Sequence, residues 1–172
     1  MIDLKTYIRD IPDFPKPGIV FKDITPLLAD AAAFRAMIDA LAAPYRGRVD
    51  MVLGIESRGF IIGAAAALAL GTGIAIVRKP GKLPYRKHRA TYELEYGSDA
   101  LEIHDDAVGD GHRVLLIDDL LATGGTATAA IQLVEQCGGR IAACAFVIEL
   151  GFLKGRARLA PHEVHALIRY DG

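Results

Sequence analysis

The segment from Val114 to Ala127 constrains the fold more than any other part of the chain. Four apolar residues, 114 to 117, run into two carboxylates, Asp118 and Asp119, and small residues then lead into a helical pattern. A buried strand followed by a short turn and a helix is typical of proteins in which parallel strands alternate with helices. The segment therefore predicts an α/β protein with its chemistry at this strand's carboxyl end, where such sheets bind ligands.

The rest of the chain alternates strands and helices in the same way. Short apolar runs predict strands over 51–53, 74–77, 141–148 and 164–168, and helical spacing predicts helices over 30–45, 59–70 and 125–137. Residues 4–11 are expected to form a short helix that Pro12 ends. Because the strands are continuously apolar, the sheet should be buried on both faces. We expect a single domain over residues 1–172, with a mainly parallel central sheet flanked by helices.

Composition places the chain among ordinary globular proteins. Hydrophobic residues make up 52%, and the net charge of -1 gives no reason to expect nucleic acid or a membrane as a partner. The amino terminus lacks the apolar core of a signal peptide, and the longest apolar stretch, 60–70, is too short to span a bilayer. Cys137 and Cys144 lack zinc-ligand spacing and are expected to be free thiols, so the expected location is the cytoplasm.

The turn after the two acids has the composition of a phosphate-binding loop. Small side chains let backbone N–H groups approach an anion, and the start of the next helix adds unpaired donors. The carboxylates would repel a phosphate but accept hydrogen bonds from sugar hydroxyls. A phosphate site beside a diol site indicates ribose 5-phosphate; the plainer alternative is acids that cap a helix and glycines that form a turn. The turn consists of Ala122, Thr123, Gly124, Gly125 and Thr126.

The run from Asp118 to Thr126 resembles the phosphoribosyl pyrophosphate (PRPP) signature of type I phosphoribosyltransferases, in the form found in members that use adenine. Segments 14–24, 54–60, 77–84 and 92–97 extend the resemblance, in order, over nearly the whole chain. The resemblance implies the type I phosphoribosyltransferase fold, with an N-terminal hood over about 1–35 and a mobile hairpin lid over about 84–103. It also implies a purine-salvage transferase that converts adenine and PRPP to AMP and pyrophosphate.

The same resemblance implies which residues hold PRPP. Arg58 and Lys82 are expected to neutralise the pyrophosphate and so to act in catalysis. The other implied contacts are Glu56, Ser57, Arg78, Lys79, Asp118, Asp119 and the turn 122–126. A cis peptide bond is expected between Glu56 and Ser57. Without the family, the cations at 78, 79 and 82 are slightly more typical of a solvated basic turn. The plainer alternative for Arg58 is a surface residue paired with Glu56.

The hood is implied to form the base pocket. Backbone groups of Val20 and Lys22 would contact the adenine edge, while Phe21 and Leu120 would enclose the ring. Taken alone, Phe21 is more typical of a core residue. Relatives commonly carry Arg at the position of Lys22, so the change matters only if the side chain, rather than the backbone, contacts the base.

The alternation of residues 91–96 predicts a hairpin, and the resemblance makes it a lid over the substrate. Glu95 is expected to meet the ring nitrogens of the base and to handle the proton, with Tyr96 beside it on the lid. Glu93 is the alternative if the register differs, and an exposed strand acid without a role is the plainer interpretation of Glu95.

No metal site built from protein side chains alone is expected, because the five histidines share no metal spacing with acids or cysteines. Mg²⁺ is expected to arrive on the substrate's own oxygens, and a homodimer is implied by the family. Two alternative functions stay open: transfer to a 6-oxo purine (hypoxanthine, guanine or xanthine), and a catalytically silent nucleotide-sensing regulator. Such regulators carry an added DNA-binding domain, for which 172 residues leave no room.

Overall fold

A parallel sheet of five strands forms the centre of the computed structural model, which describes residues 2–94 and 97–172. In chain order the strands of these ranges are β1 (Arg9–Pro12), β2 (Val20–Asp23), β3 (Met51–Ile55), β4 (Gly73–Val77), β5 (Lys87–Glu93), β6 (Ser98–His104), β7 (Arg113–Leu121), β8 (Arg140–Leu150) and β9 (Val164–Tyr170). The helices are α1 (Thr25–Ala29), α2 (Ala31–Ala42), α3 (Arg58–Leu70), α4 (Gly125–Gln136) and α5 (Gly155–Arg158), with 3₁₀ turns at Leu4–Tyr7, Ala43–Tyr45 and Gly151–Leu153.

The central sheet has the strand order β4-β3-β7-β8-β9, and every neighbouring pair is parallel. Its side chains fill two separate cores. On β7, Val114 and Leu116 belong to one core, which α4 and the β5–β6 hairpin cover, while Leu115 and Ile117 belong to the other, which α2 and α3 cover. Because successive strand residues point to opposite faces, burial on both faces requires the continuous apolar run that the sequence shows. The predicted fold class is confirmed.

Several strand boundaries differ from the sequence prediction by one to four residues, and two differences change how the chain is described. The third strand of the sheet was expected to end at Ile117, but β7 continues to Leu121, because β8 offers ladder partners beyond that point, such as Ile148 opposite Leu120. Asp118 and Asp119 therefore lie within the strand. The prediction of a helix over residues 4–11 was wrong beyond Tyr7. The chain forms a short 3₁₀ turn over Leu4–Tyr7 and then β1, which pairs antiparallel with β2.

The β5–β6 hairpin is a two-stranded antiparallel unit that stands beside the central sheet. Its register places Tyr92 opposite Asp99 and Glu93 opposite Ser98, and it packs on α4. One bridge, between Arg78 and Glu102, joins it to the end of β4. The hairpin expected from the alternating sequence is thus present, whereas the lid and hood boundaries proposed for the domain stay predictions.

Cys137 and Cys144 are free thiols, as expected. Burial raises the pKa of the Cys144 thiol to about 12. None of the helices in the described ranges combines the length and apolar character that crossing a lipid bilayer requires.

Candidate active site

The carboxyl ends of β3, β4 and β7 meet at one edge of the sheet, because the three strands are parallel neighbours. The predicted loops 56–58, 78–82 and 122–126 therefore lie at the same edge. This is the position at which parallel sheets bind ligands.

The turn between β7 and α4 leaves backbone donors free to bind an anion. Gly124 precedes the helix with φ +85°, a left-handed conformation that glycine adopts without steric cost, and no side chain caps the helix start. The first amide groups of a helix have no partner within it, and the helix dipole favours negative charge there. A small cavity of about 80 Å³ opens at this turn. It is lined by residues 118 and 120–127 together with Phe146.

The two acids of β7 have different environments. Asp118 accepts a hydrogen bond from the backbone N–H of Asp119 at 2.9 Å. Burial, followed by the neighbouring charge of Asp119, raises the pKa of Asp118. Asp119, only 7% exposed, forms an ion pair with the Nε of Arg58. The strand tip therefore offers one carboxyl group with a raised pKa and one paired carboxylate.

Arg58, the first residue of α3, connects the acid pair to the hood. Its guanidinium contacts Asp119 and lies 5.6 Å from the ring centroid of Phe21. Burial alone would lower the pKa of Arg58, but the hydrogen bond and charge of Asp119 raise it. The alternative in which Arg58 pairs with Glu56 differs from what the structure shows, because Glu56 pairs with other cations.

Glu56 organises the basic loop that follows β4. Its carboxylate contacts Lys82 Nζ, lies 3.4 Å from Arg78 Nε and accepts the backbone N–H of Lys79 at 2.8 Å. Burial by itself would raise the pKa of Glu56, but these donors outweigh it and lower the pKa to about 2. The peptide bond between Glu56 and Ser57 is cis, which confirms the expectation from the sequence. Arg78, Lys79 and Lys82 are thus arranged around the carboxylate of Glu56.

Lys79 points to the hairpin. Its ammonium forms an ion pair with Asp99 and contacts the Tyr92 hydroxyl at 2.9 Å. The hydrogen bond from Lys79 lowers the pKa of Asp99. Lys79, for which the resemblance implies a contact with PRPP, therefore connects the hairpin to the basic loop.

The predicted base pocket lies on β2, next to Arg58. Phe21 contacts Phe14 edge to face at 5.3 Å, and its face is turned to the Arg58 guanidinium. The Lys22 ammonium is bound by Asp10 at 2.7 Å and lies 4.2 Å from the Tyr170 ring centroid. The Lys22 side chain is therefore engaged by Asp10 and Tyr170. Val20 is exposed on the same strand, and Leu120 lines the cavity at the turn.

The structure leaves part of the predicted lid untested, and it shows one partner that the sequence analysis missed. Glu95 and Tyr96 lie outside the described residues, and Glu93 is exposed at the end of β5. Asp99 was missed because its pairing with Lys79 depends on the hairpin register, which the alternating pattern alone does not give. A register that places Tyr92 opposite Asp99 would have shown that Asp99 lies beside the residue that Lys79 contacts.

Comparison with known proteins agrees with this geometry. Residues 22–167 match the model of the phosphoribosyl transferase domain. The chain is 59% identical over 171 residues to the adenine phosphoribosyltransferase of Syntrophotalea carbinolica, covering 99% of this chain and 100% of that protein.

Solved structures give the same result. The crystal structure of adenine phosphoribosyltransferase from Thermoanaerobacter pseudethanolicus is 52% identical, with a TM-score of 0.94 and coverage of 97% of this chain and 98% of that one. The enzyme from Saccharomyces cerevisiae, in complex with an imino-altritol bisphosphate and adenine, is 44% identical, with a TM-score of 0.91 over 95% and 96% of the two chains. The chain therefore belongs to the phosphoribosyltransferase family and, within it, to the adenine phosphoribosyltransferases.

Proposed function

We propose that this chain transfers the phosphoribosyl group of PRPP to adenine, forming AMP and releasing pyrophosphate. The observation that carries the proposal is the uncapped turn 122–126 beside Asp118 and Asp119, with a cluster of cations at the same sheet edge. The order of these groups follows that of the substrate. The phosphate would lie at the turn, the ribose hydroxyls at the two carboxylates and the pyrophosphate at the cations.

In this proposal the turn holds the 5′-phosphate through its amide hydrogens and the hydroxyls of Thr123 and Thr126. Asp118 and Asp119 accept hydrogen bonds from the ribose hydroxyls. The pyrophosphate competes with Asp119 for the guanidinium of Arg58 and with Glu56 for Lys82, because its charge is higher than that of one carboxylate. Ser57, Arg78 and Lys79 complete the proposed contacts.

The proposed reaction needs no covalent intermediate on the protein. A ring nitrogen of adenine attacks the anomeric carbon, the bond from that carbon to the pyrophosphate oxygen breaks, and pyrophosphate leaves with the electron pair. Arg58 and Lys82 stabilise the charge that develops on the leaving group. Glu95 is proposed to take the proton that the base loses, with Tyr96 closing the lid. These roles rest on the resemblance, since both residues lie outside the described ranges.

The base is proposed to lie between Phe21 and Leu120, with the backbone of Val20 and Lys22 at its edge. The engagement of the Lys22 ammonium by Asp10 supports backbone recognition. The Saccharomyces cerevisiae relative is a complex with adenine, which favours adenine over a 6-oxo purine for this chain as well. A pocket that reads the exocyclic amine leaves groups unpaired against a 6-oxo purine, at a cost of about 1–3 kcal/mol per group.

Mg²⁺ is proposed to enter on the oxygens of PRPP. The carboxylates at the strand tip are hard oxygen ligands that suit this ion, but residues 2–94 and 97–172 contain no group of three or more His, Cys, Asp or Glu able to hold a metal. A Mg²⁺ ion held mainly by the substrate would neutralise pyrophosphate charge. A homodimer and a cytoplasmic location stay predictions from the sequence and the family.

The decisive assay supplies PRPP, Mg²⁺ and one purine at a time and detects the nucleotide formed. We expect AMP from adenine, at a kcat/KM at least about tenfold above those for hypoxanthine, guanine and xanthine. Faster turnover of a 6-oxo purine would overturn the choice of base. Binding of AMP without turnover of any purine would favour the nucleotide-sensing regulator.

A further inference from the structure

A short segment after β8 lies behind the phosphate turn and touches it backbone to backbone. Gly155, the first residue of α5, is buried. A Cβ built on it would lie 2.2 Å from the carbonyl oxygen of Ala122 and 3.0 Å from the amide nitrogen of Gly124. From the other side, a Cβ on Gly124 would lie 2.8 Å from the carbonyl oxygen of Gly155. The two backbones approach this closely only because both residues are glycine.

This segment is fixed by an ion pair that lies away from the turn. Glu149, at 2% exposure near the end of β8, accepts hydrogen bonds from Arg156 Nε at 3.0 Å and Nη2 at 2.5 Å. Arg156 Nη1 also donates to the carbonyl of Val164 at 2.6 Å. A bidentate pair of this kind fixes orientation as well as distance. Gly155, next to Arg156, is therefore held at a set position relative to the sheet.

Arg158 gives the segment a further contact with the turn. Its Nη1 lies 3.4 Å from the carbonyl oxygen of Thr123, at the limit for a hydrogen bond. The same nitrogen would lie 3.8 Å from a Cβ on Gly125. The turn thus borders the cavity and is also contacted by residues 155–158, none of which lines that cavity.

We propose that Gly155 is a positioning residue for the 5′-phosphate. Its backbone sets how far the turn 122–126 can retreat from the cavity, so that the amide hydrogens of the turn converge on one phosphate. The Glu149–Arg156 pair holds Gly155 in place. This inference rests on the proposed function and deepens it, because it adds a residue that acts on PRPP binding through the turn and not by contact.

The test is Gly155→Ala, with Ala157→Ser as the matched control, because Ala157 is exposed on the same helical turn. The added methyl group would clash with the carbonyl oxygen of Ala122. Because the Glu149–Arg156 pair holds residue 155, we expect the turn to move. We expect the KM for PRPP and the Kd for ribose 5-phosphate to rise at least about tenfold, because displacements of about 1 Å carry such effects. The KM for adenine should change less than twofold, and the control should match the wild type in all three constants.

Arg156→Lys keeps the test decisive should Gly155→Ala fail to fold. This variant retains the charge but loses the two-pronged contact with Glu149, and it should raise the KM for PRPP selectively, by about threefold or more. Wild-type protein that forms no nucleotide from any purine would defeat the proposed function itself. An active wild type with unchanged KM for PRPP in the folded variants, or with equal rises in both KM values, would overturn the positioning role alone.

Discussion

The cations at the sheet edge are each held by an acid of the same chain. The pairs are Arg58 with Asp119, Lys79 with Asp99 and Lys82 with Glu56. Because these carboxylates orient the cations, the loops keep positive charge at the strand tips without like-charge repulsion between neighbours. In the proposed function, pyrophosphate, which is more highly charged, displaces Asp119 and Glu56 from their cations.

Arg58→Met should lower kcat/KM for PRPP by about 10²–10³-fold, the range found when one donor to a developing negative charge is removed. The physical reason is the loss of the proposed pyrophosphate contact, and Asp119 also loses its partner. Steady-state kinetics with adenine and PRPP measure the effect. Arg35→Met, on the exposed side of α2, is the control and should keep wild-type constants. Equal activity of the two variants would exclude Arg58 from catalysis.

Glu56→Gln should change how stability depends on pH. The pKa of Glu56 is about 2 in the folded protein, below the value of 4.5 for a free glutamate, so the charged form is favoured by folding. Its contribution is therefore complete above about pH 4.5 and is lost as the pH falls toward 2. Near neutral pH the variant should be less stable by about 1–2 kcal/mol, since its cationic partners are partly exposed.

Urea denaturation of both proteins at a series of pH values measures this difference, with Glu135→Gln as an exposed control on α4. The difference in free energy of unfolding between wild type and Glu56→Gln should become smaller as the pH falls from about 4.5 to 2. A difference in stability that grows as the pH falls would contradict the ion pairs assigned to Glu56.

Among the elements, the β5–β6 hairpin depends most on its surroundings. Within residues 2–94 and 97–172, its ladder pairs its own two strands, and the bridge between Arg78 and Glu102 is the one further strand contact. Isolated two-stranded units are marginal in water. Packing on α4 and the contact of Tyr92 and Asp99 with Lys79 hold its base in place. A ligand that engages the basic loop should therefore also order the hairpin.

We expect PRPP with Mg²⁺ to reduce deuterium uptake in peptides that cover residues 87–104, because the proposed lid closes over the substrate. Peptides from α2 should show unchanged uptake. Hydrogen–deuterium exchange with mass spectrometry gives both values in one experiment. Protection confined to α2, with none in the hairpin, would contradict the lid.

The sequence predicts the elements better than their ends or their partners. Strands such as β3 and β8 are recognisable because burial on both faces demands continuous apolar runs. The end of β7 is not recognisable in this way. Two consecutive acids are typical of the end of a strand, and only the pairing with β8 shows that β7 continues past them. The pair Arg58–Asp119 spans 61 residues, and the contact of Gly155 with Ala122 is made by backbone atoms. Neither leaves a local pattern in the sequence.

For the whole molecule, ligand binding should appear as added stability, because a ligand that binds only the folded state stabilises it. AMP at one hundred times its Kd should add about 2.7 kcal/mol to the free energy of unfolding. For a chain of this size that corresponds to a rise of about 5–11 °C in Tm. Dye-based thermal scanning, suited to a chain without tryptophan, measures the shift.

Adenosine is the matched control ligand, since it differs from AMP only in lacking the 5′-phosphate. At the same concentration it should raise Tm much less, because the turn 122–126 contributes nothing to its binding. Equal shifts with AMP and adenosine would mean that the phosphate is not recognised.

The location of the 5′-phosphate tests the central claim most directly. A crystal structure with bound AMP should show the phosphate within hydrogen-bond distance of the amides of residues 122–126, the ribose hydroxyls on Asp118 and Asp119, and the purine between Phe21 and Leu120. A phosphate bound at any other part of the chain would contradict the assignment of this turn and, with it, the proposed function.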